Sequence, residues 1–297
     1  MKKLVNKLNM IKKFVFLVAI VLGFVSLSFS QNDSLIYFLE EAQKHYENEK
    51  FVSAMKGYKS ALNYDENSFE ALMGLADSQH KLELFAQAIE TYDQAEKIKE
   101  NDAELYFNRG AAKVFVEDYR KAIKDFDQSI ELNPDFPDVY YYRAYCYGAL
   151  ERYRNAIDDY NKAIELKPNY AAAIYNRGAA KAELGNFEEG MEDFETALNK
   201  DPELQNGKIN IALSKLGMKQ YEEAIAGLTE VISKRDDNLA RAYFYRGEAH
   251  YEVDKKDEAC EDWRKAANLG HEQAIKNANS FCEKDKTKKK SEIDIVF

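Results

Sequence analysis

AELYFNRGAAKVFVEDYRKAIKDFDQSIELNPDF, residues 103–136, decides the fold. Counted from Ala103, its eighth, twentieth and twenty-seventh places hold the small residues Gly110, Ala122 and Ser129. Its fourth and twenty-fourth places hold the aromatic residues Tyr106 and Phe126, and Pro134 stands near its end. The next 34 residues repeat the pattern with Tyr140, Ala144, Ala156, Tyr160, Ala163 and Pro168. The 34 after that give Gly178, Gly190, Phe194, Ala197 and Pro202. A fixed period of this length points to a stacked array, in which a single unit cannot bury its own apolar face and neighbours close one another's cores.

These residues closely resemble the tetratricopeptide repeat, a two-helix unit with small residues where its helices cross. The small twentieth place recurs at Ala54, Ala88, Ala122, Ala156, Gly190, Ala224 and Ala259, and the eighth at Ala42, Ala76, Gly110, Ala144, Gly178, Ala212 and Gly247. This register defines units 35–68, 69–102, 103–136, 137–170, 171–204, 205–238 and 240–273 within an array spanning 31–283. The resemblance implies an all-α fold: a right-handed superhelical array of seven helix pairs, each with a short turn near its fifteenth place. Gly185, at that place in the fifth unit, suits a helix C-terminal cap. Residues 272–282 read as a capping helix with Ala274, Ile275, Ala278 and Cys282 on its inward face.

The two ends depart from the pattern. Lys2, Lys3, Lys7, Lys12 and Lys13 precede an apolar run from Phe14 to Val25, then the small Ser28 and Ser30. Residues 1–30 therefore read as a secretory signal peptide cut after Ser30, with an apolar core short for a membrane span and an uncleaved N-terminal anchor as the alternative. The mature chain is expected to have no span and to reside in the periplasm. Residues 284–297 read as a basic, unstructured tail with five Lys between Glu283 and Ser291. It closes on the apolar Ile293-Asp294-Ile295-Val296-Phe297, with strand donation to a partner's sheet edge as the alternative. The chain's formal charge is −10, and with five Lys and no acid in the first 30 residues the remainder carries −15. Such a body lacks the basic footprint that nucleic acid requires.

Catalytic signatures are missing from the sequence: no GxSxG, HExxH, P-loop, CxxC or dinucleotide fingerprint occurs. His45, His80, His250 and His271 are scattered, and no pair stands at metal-ligand spacing. No cofactor is expected. The reading is a non-catalytic exported adaptor that holds a peptide segment or protein partner. The alternatives are a spacer domain of a cell-envelope enzyme or secretion assembly, and a hydrolase without a visible motif.

In the family, the first helix of each unit lines a concave groove, with ligand contacts largely at its second, fifth, sixth, ninth, twelfth and thirteenth places. Here the fifth place gives Leu39, Met73, Phe107, Tyr141, Tyr175, Ile209 and Phe244. The sixth gives Asn108, Tyr142, Asn176, Asn210 and Tyr245, and Tyr145 stands at a ninth place. Asparagine at the sixth place is similar to a ladder by which some family members hold a peptide backbone, and an amide offers both donors and an acceptor for that purpose. From the third unit onward, this wall of aromatic and amide side chains is the expected partner site. Lysine at the fifth place, needed to clamp the C-termini of heat-shock chaperones, is replaced by Phe or Tyr.

Comparison of the units yields two structural expectations. Arg109, Arg143, Arg177 and Arg246 at the seventh place coincide with Asp125, Asp159, Asp193 and Asp262 at the twenty-third; units without one lack the other. An ion pair between the two helices of each such unit follows. Cys260 lies ten residues before Gly270 and Cys282 twelve after it. Antiparallel helices about that turn bring the two sites within roughly 3 Å in rise. A disulfide between them is expected, with Cys146 left as a buried thiol. N-terminal sequencing of the native protein should find Gln31 first; an intact Met1 would remove the signal-peptide reading.

Overall fold

The computed structural model of the protein describes residues 32–204, 206–234, 238–282 and 295–296. The signal segment 1–30 and all of the tail except 295–296 lie outside the described residues. The described residues form helices and turns, with no strand among them. The chain divides into two compact units, residues 1–134 and 135–297. Unit one contains α1 (32–47), α2 (Phe51–Leu62), α3 (Phe69–Lys81), α4 (Phe85–Ile98), α5 (Ala103–Phe115) and α6 (Tyr119–Leu132). Unit two contains α7 (Pro137–Ala149), α8 (Tyr153–Leu166), α9 (Ala171–Glu183), α10 (Phe187–Lys200), α11 (Gly207–Gly217), α12 (Tyr221–Ser233), α13 (Leu239–Glu252), α14 (Lys256–Asn268) and α15 (Glu272–Phe281). Within each unit, successive helices pack as antiparallel pairs. The first helices also touch one another: α3 meets α5, and α7, α9, α11 and α13 follow in series.

Small residues set how closely the helices of a pair cross. A Cβ on Gly178 would lie 2.8 Å from the Gly190 carbonyl oxygen, and one on Gly190 would lie 2.8 Å from that of Gly178. Above this crossing the twenty-fourth place supplies one large side chain per pair: Tyr58, Tyr92, Phe126, Tyr160, Phe194, Leu228 and Trp263, all buried. Sequence also decides where helices begin. Ser68 caps α3 by accepting the Ala71 N–H at 3.2 Å, Asp102 caps α5 by accepting that of Leu105 at 3.0 Å, and Pro137 opens α7.

The turn inside each pair is a backbone device. Glu49, Glu83, Glu117, Glu151, Gly185, Lys219 and Asp254, all at the fifteenth place, adopt left-handed backbone with φ between 57° and 83°. The next N–H reaches back over the last helical turn, as in Leu84 to the Gln79 carbonyl at 2.9 Å and Asn186 to that of Lys181 at 3.0 Å. This is a Schellman closure. Glycine adopts such a conformation freely, whereas another residue pays about 1 kcal/mol. Six of the seven turns carry that cost, offset by the hydrogen bonds they complete.

The arginines and aspartates form one repeated fork. Arg109, Arg143, Arg177 and Arg246 donate through Nε and Nη2 to both oxygens of Asp125, Asp159, Asp193 and Asp262, at 2.6–3.0 Å. The remaining nitrogen, Nη1, turns to the preceding pair. It donates to Asp93 at 2.7 Å from Arg109, to Asn161 at 2.8 Å from Arg177 and to Thr229 at 3.0 Å from Arg246. All three acceptors occupy the twenty-fifth place. Lys113 and Lys181 add a second cation to Asp125 and Asp193. Pairs without the fork close by other means: Gly57 and Gly227 lie against Ala42 and Ala212, and Thr91 donates to Gln79 at 2.8 Å.

The cap α15 lies on α14, and Cys260 and Cys282 are joined, with Cα atoms 5.5 Å apart. Cys146 is a buried free thiol, pushed up to about 12 by its burial. The inward face of α15 differs from the expected one. Ile275 is exposed, and Asn277 turns inward to donate to the buried Glu248 at 2.7 Å. An apolar side chain at residue 277 would leave that carboxylate without this donor, and the need for it sets the helix rotation.

Replacing Asp193 with Asn leaves the Arg177 and Lys181 cations facing a neutral amide in a site only 5 % exposed. The expected loss is roughly 3 kcal/mol in urea unfolding. Arg177→Lys keeps the charge without the fork and should cost about 1 kcal/mol.

Candidate functional site

In unit one an open groove of about 530 Å³ is lined by Leu39, Gln43, Tyr58, Glu70, Met73 and Asp77. Four of these, Leu39, Gln43, Met73 and Asp77, stand at fifth and ninth places, and Glu70 at a second. Gly74 makes room for the floor: a Cβ there would come within 2.2 Å of the Tyr58 ring. That ring donates its hydroxyl to Gln43 at 2.8 Å. The wall thus combines an apolar floor with carboxylates at its edge, Glu40, Glu47 and Glu70 among them.

Asp77 is the electrostatic centre of this wall. It accepts the Tyr92 hydroxyl at 2.5 Å and the Asn108 amide at 3.1 Å. Burial pushes its carboxyl up to about 6, with Glu104 adding to the rise while Tyr92 and Asn108 oppose it. Tyr46 and Tyr58 are each pushed up to about 12, first by burial and then by Asp77, so both stay neutral donors. Expectations from the sequence placed the site from the third unit onward and passed over Gln43, Glu70 and Asp77. The available signal was the ninth place itself, where Asp77 puts a second acid on the helix face that already carries Glu70.

Unit two brings the expected residues together differently. Tyr141 stacks on Tyr170 with centroids 5.0 Å apart and meets Tyr142 edge-on at 5.3 Å. Tyr145 beside them is exposed. Tyr175 lies half-buried against Phe194. The amides do not form a free ladder. Asn176 donates to the Tyr141 hydroxyl at 3.2 Å, and Asn210 to that of Tyr175 at 2.7 Å. Each asparagine therefore ties its own pair to the preceding one. In unit one Asn108 does the same through Asp77, and Phe107 leans on Phe126.

Three expected contact residues are not open to a partner. Asn210 is 1 % exposed beneath Tyr175. Phe244 is buried with its ring stacked on His271 at 4.2 Å, where the His271 Nδ1 caps α15 by accepting the Ala274 N–H. Tyr245 is buried, and its hydroxyl accepts the N–H of Val296 at 3.1 Å. Arg241, the one basic residue at a second place, donates to the Val296 carbonyl. Residues 295–296 thus sit on α13, where an unstructured terminus had been expected.

Asp77 yields a pH-dependent test. Its value of about 6 in the fold exceeds the ordinary 3.8. Between those limits the folded protein keeps a proton that the unfolded chain releases. The carboxyl therefore contributes stability below pH 4 that is lost as pH rises through about 6. Carbon-13 NMR should show this carboxyl titrating near 6, and Asp77→Asn should abolish its share of the stability change between pH 4 and 7. Titration near 4 would show that the site is well hydrated.

Sequence models described as tetratricopeptide repeat match residues 103–136, 137–170 and 171–203, and one described as TPR repeat matches 85–114. Among curated proteins, none matches the chain's sequence significantly. A solved tetratricopeptide repeat protein from Parabacteroides merdae is similar with a TM-score of 0.61 and 21 % identity, covering 83 % of this chain and 97 % of its own. A MamA crystal structure is similar at 0.54 and 26 % identity, covering 58 % of this chain and 93 % of that one. YrrB, described as a TPR protein with an unusual peptide-binding site, is similar at 0.54 and 20 % identity, covering 61 % and 94 %. The family models fall on the residues that the structure folds into α4 to α10, and residues 85–203 are tetratricopeptide repeats.

Proposed function

We propose that the protein is a non-catalytic adaptor that holds an extended protein segment on the wall of its first helices. The unit-one groove carries this reading: its apolar floor of Leu39, Met73 and Tyr58 is edged by Glu70 and Asp77. An apolar anchor seats on that floor, and a neighbouring Lys or Arg pairs with the carboxylates, so the partner segment is apolar and basic. The strongly acidic body favours the same partner sign. YrrB's description as a peptide-binding member of the fold supports the class of ligand. The N-terminal signal pattern supports export, and no described helix is long and apolar enough to cross a membrane.

Selection of displayed peptides on the intact protein tests the reading. The enriched segments should place a basic residue beside an apolar one, and Glu70→Lys should weaken them about tenfold. Met73→Glu should do the same through the floor. Selected segments that bind both variants as well as the wild type would overturn the proposal.

A further inference from the structure

Unit two already holds a stretch of polypeptide. The Tyr245 hydroxyl accepts the Val296 N–H at 3.1 Å and Arg241 donates to the Val296 carbonyl, so both main-chain groups of one residue are engaged. The Val296 side chain is 64 % exposed and takes little part. Ile295 instead packs against the apolar cluster that contains Tyr245 and Trp263. One backbone clamp beside one apolar anchor is the pattern by which a wall recognises an extended peptide. The clamp residues stand at the second and sixth places of the repeat 240–273.

We propose that the wall of α13 is a docking site for an extended apolar segment, occupied in cis by Ile295 and Val296 of this same chain. The segment acts as an internal competitor that a partner must displace, and this proposal rests on the peptide-binding reading above. Two observations favour occupation in cis. The Cys260–Cys282 bond and the Asn277–Glu248 hydrogen bond hold the end of α15 beside α13. Only twelve residues, 283–294, then separate Cys282 from Ile295, a span of at most about 47 Å. A tether of that length presents its end at an effective concentration on the order of millimolar. A free peptide of micromolar affinity is therefore excluded until it is abundant.

The test uses a fluorescent peptide with the sequence of residues 291–297, offered to the full chain and to a variant lacking 293–297. The shortened protein should bind it, and the full chain should bind it at least about tenfold more weakly at every protein concentration. Methylating the peptide nitrogen that corresponds to Val296 removes the clamped N–H without touching the protein, and should cost about tenfold. Arg241→Gln, at the surface, should weaken binding similarly while the helical spectrum is unchanged. Equal binding by the two proteins, failure of the shortened protein to bind, or indifference to nitrogen methylation would overturn the proposal. Exclusion that grows with protein concentration would place the occupant in a second copy and overturn docking in cis. Basic peptides selected on unit one serve as the control. If they still depend on Glu70, failure here refutes only the self-docking; if they fail too, the adaptor reading falls with it.

Discussion

The crossing of two helices at a point with no room for side chains governs the rest of this structure. Gly178 and Gly190 approach so closely that a methyl group on either would strike the other's backbone. That contact fixes the angle and depth at which a pair closes. The large residue at the twenty-fourth place can then be buried, and in the last pair Trp263 fills the space beside Gly247. Burying such a ring contributes a few kcal/mol per pair. A bulkier residue at the eighth or twentieth place would spread the helices and expose it.

Polar side chains handle what apolar packing leaves open. The arginine fork joins the helices within a pair, and its third nitrogen continues to the pair before. The asparagine amides run in the same backward direction, from Asn176 to Tyr141 and from Asn210 to Tyr175. Van der Waals contact is nondirectional and tolerates sliding, whereas these bonds specify one register. In unit one such a bond reaches the candidate site, because Asn108 donates to Asp77 in its lining. A partner there meets residues already committed to holding the stack.

Much of the fold was legible because its determinants are periodic. The 34-residue spacing of small residues is visible without any knowledge of contacts, and the co-occurrence of Arg with Asp identified a pair through four separate units. Gly185 announced its turn, yet Glu49, Glu83, Glu117 and Glu151 make the same turn without a residue that favours it. Backbone closure and packing decide there, and neither is written in one residue. The site was less legible for a related reason. A tyrosine at a fifth place reads the same whether its hydroxyl is free or taken by the next unit's asparagine. Asp77 acquires its raised value from burial in the fold, and the donors that oppose the rise, Tyr92 and Asn108, stand fifteen and thirty-one residues away. Ile275 was misplaced because an apolar residue was weighed against solvent, when the deciding neighbour was a buried carboxylate.

The backward reach of each arginine makes the order of the repeats a chemical matter. Asp93, Asn161 and Thr229 differ in charge and size, but each offers an oxygen at the twenty-fifth place to the arginine that follows. The first repeat has Lys59 at that place, and the repeat after it carries Leu75 where an arginine would otherwise stand. Repeats are therefore not interchangeable beads. Duplication of an arginine-bearing repeat is tolerated behind any neighbour whose second helix offers an oxygen at that place. Deletion of residues 69–102 would set Lys59 against Arg109, bringing two cations together at a half-buried joint. Lengthening or shortening of such a chain over generations is thus filtered at the junctions, by which neighbour each repeat is allowed to follow.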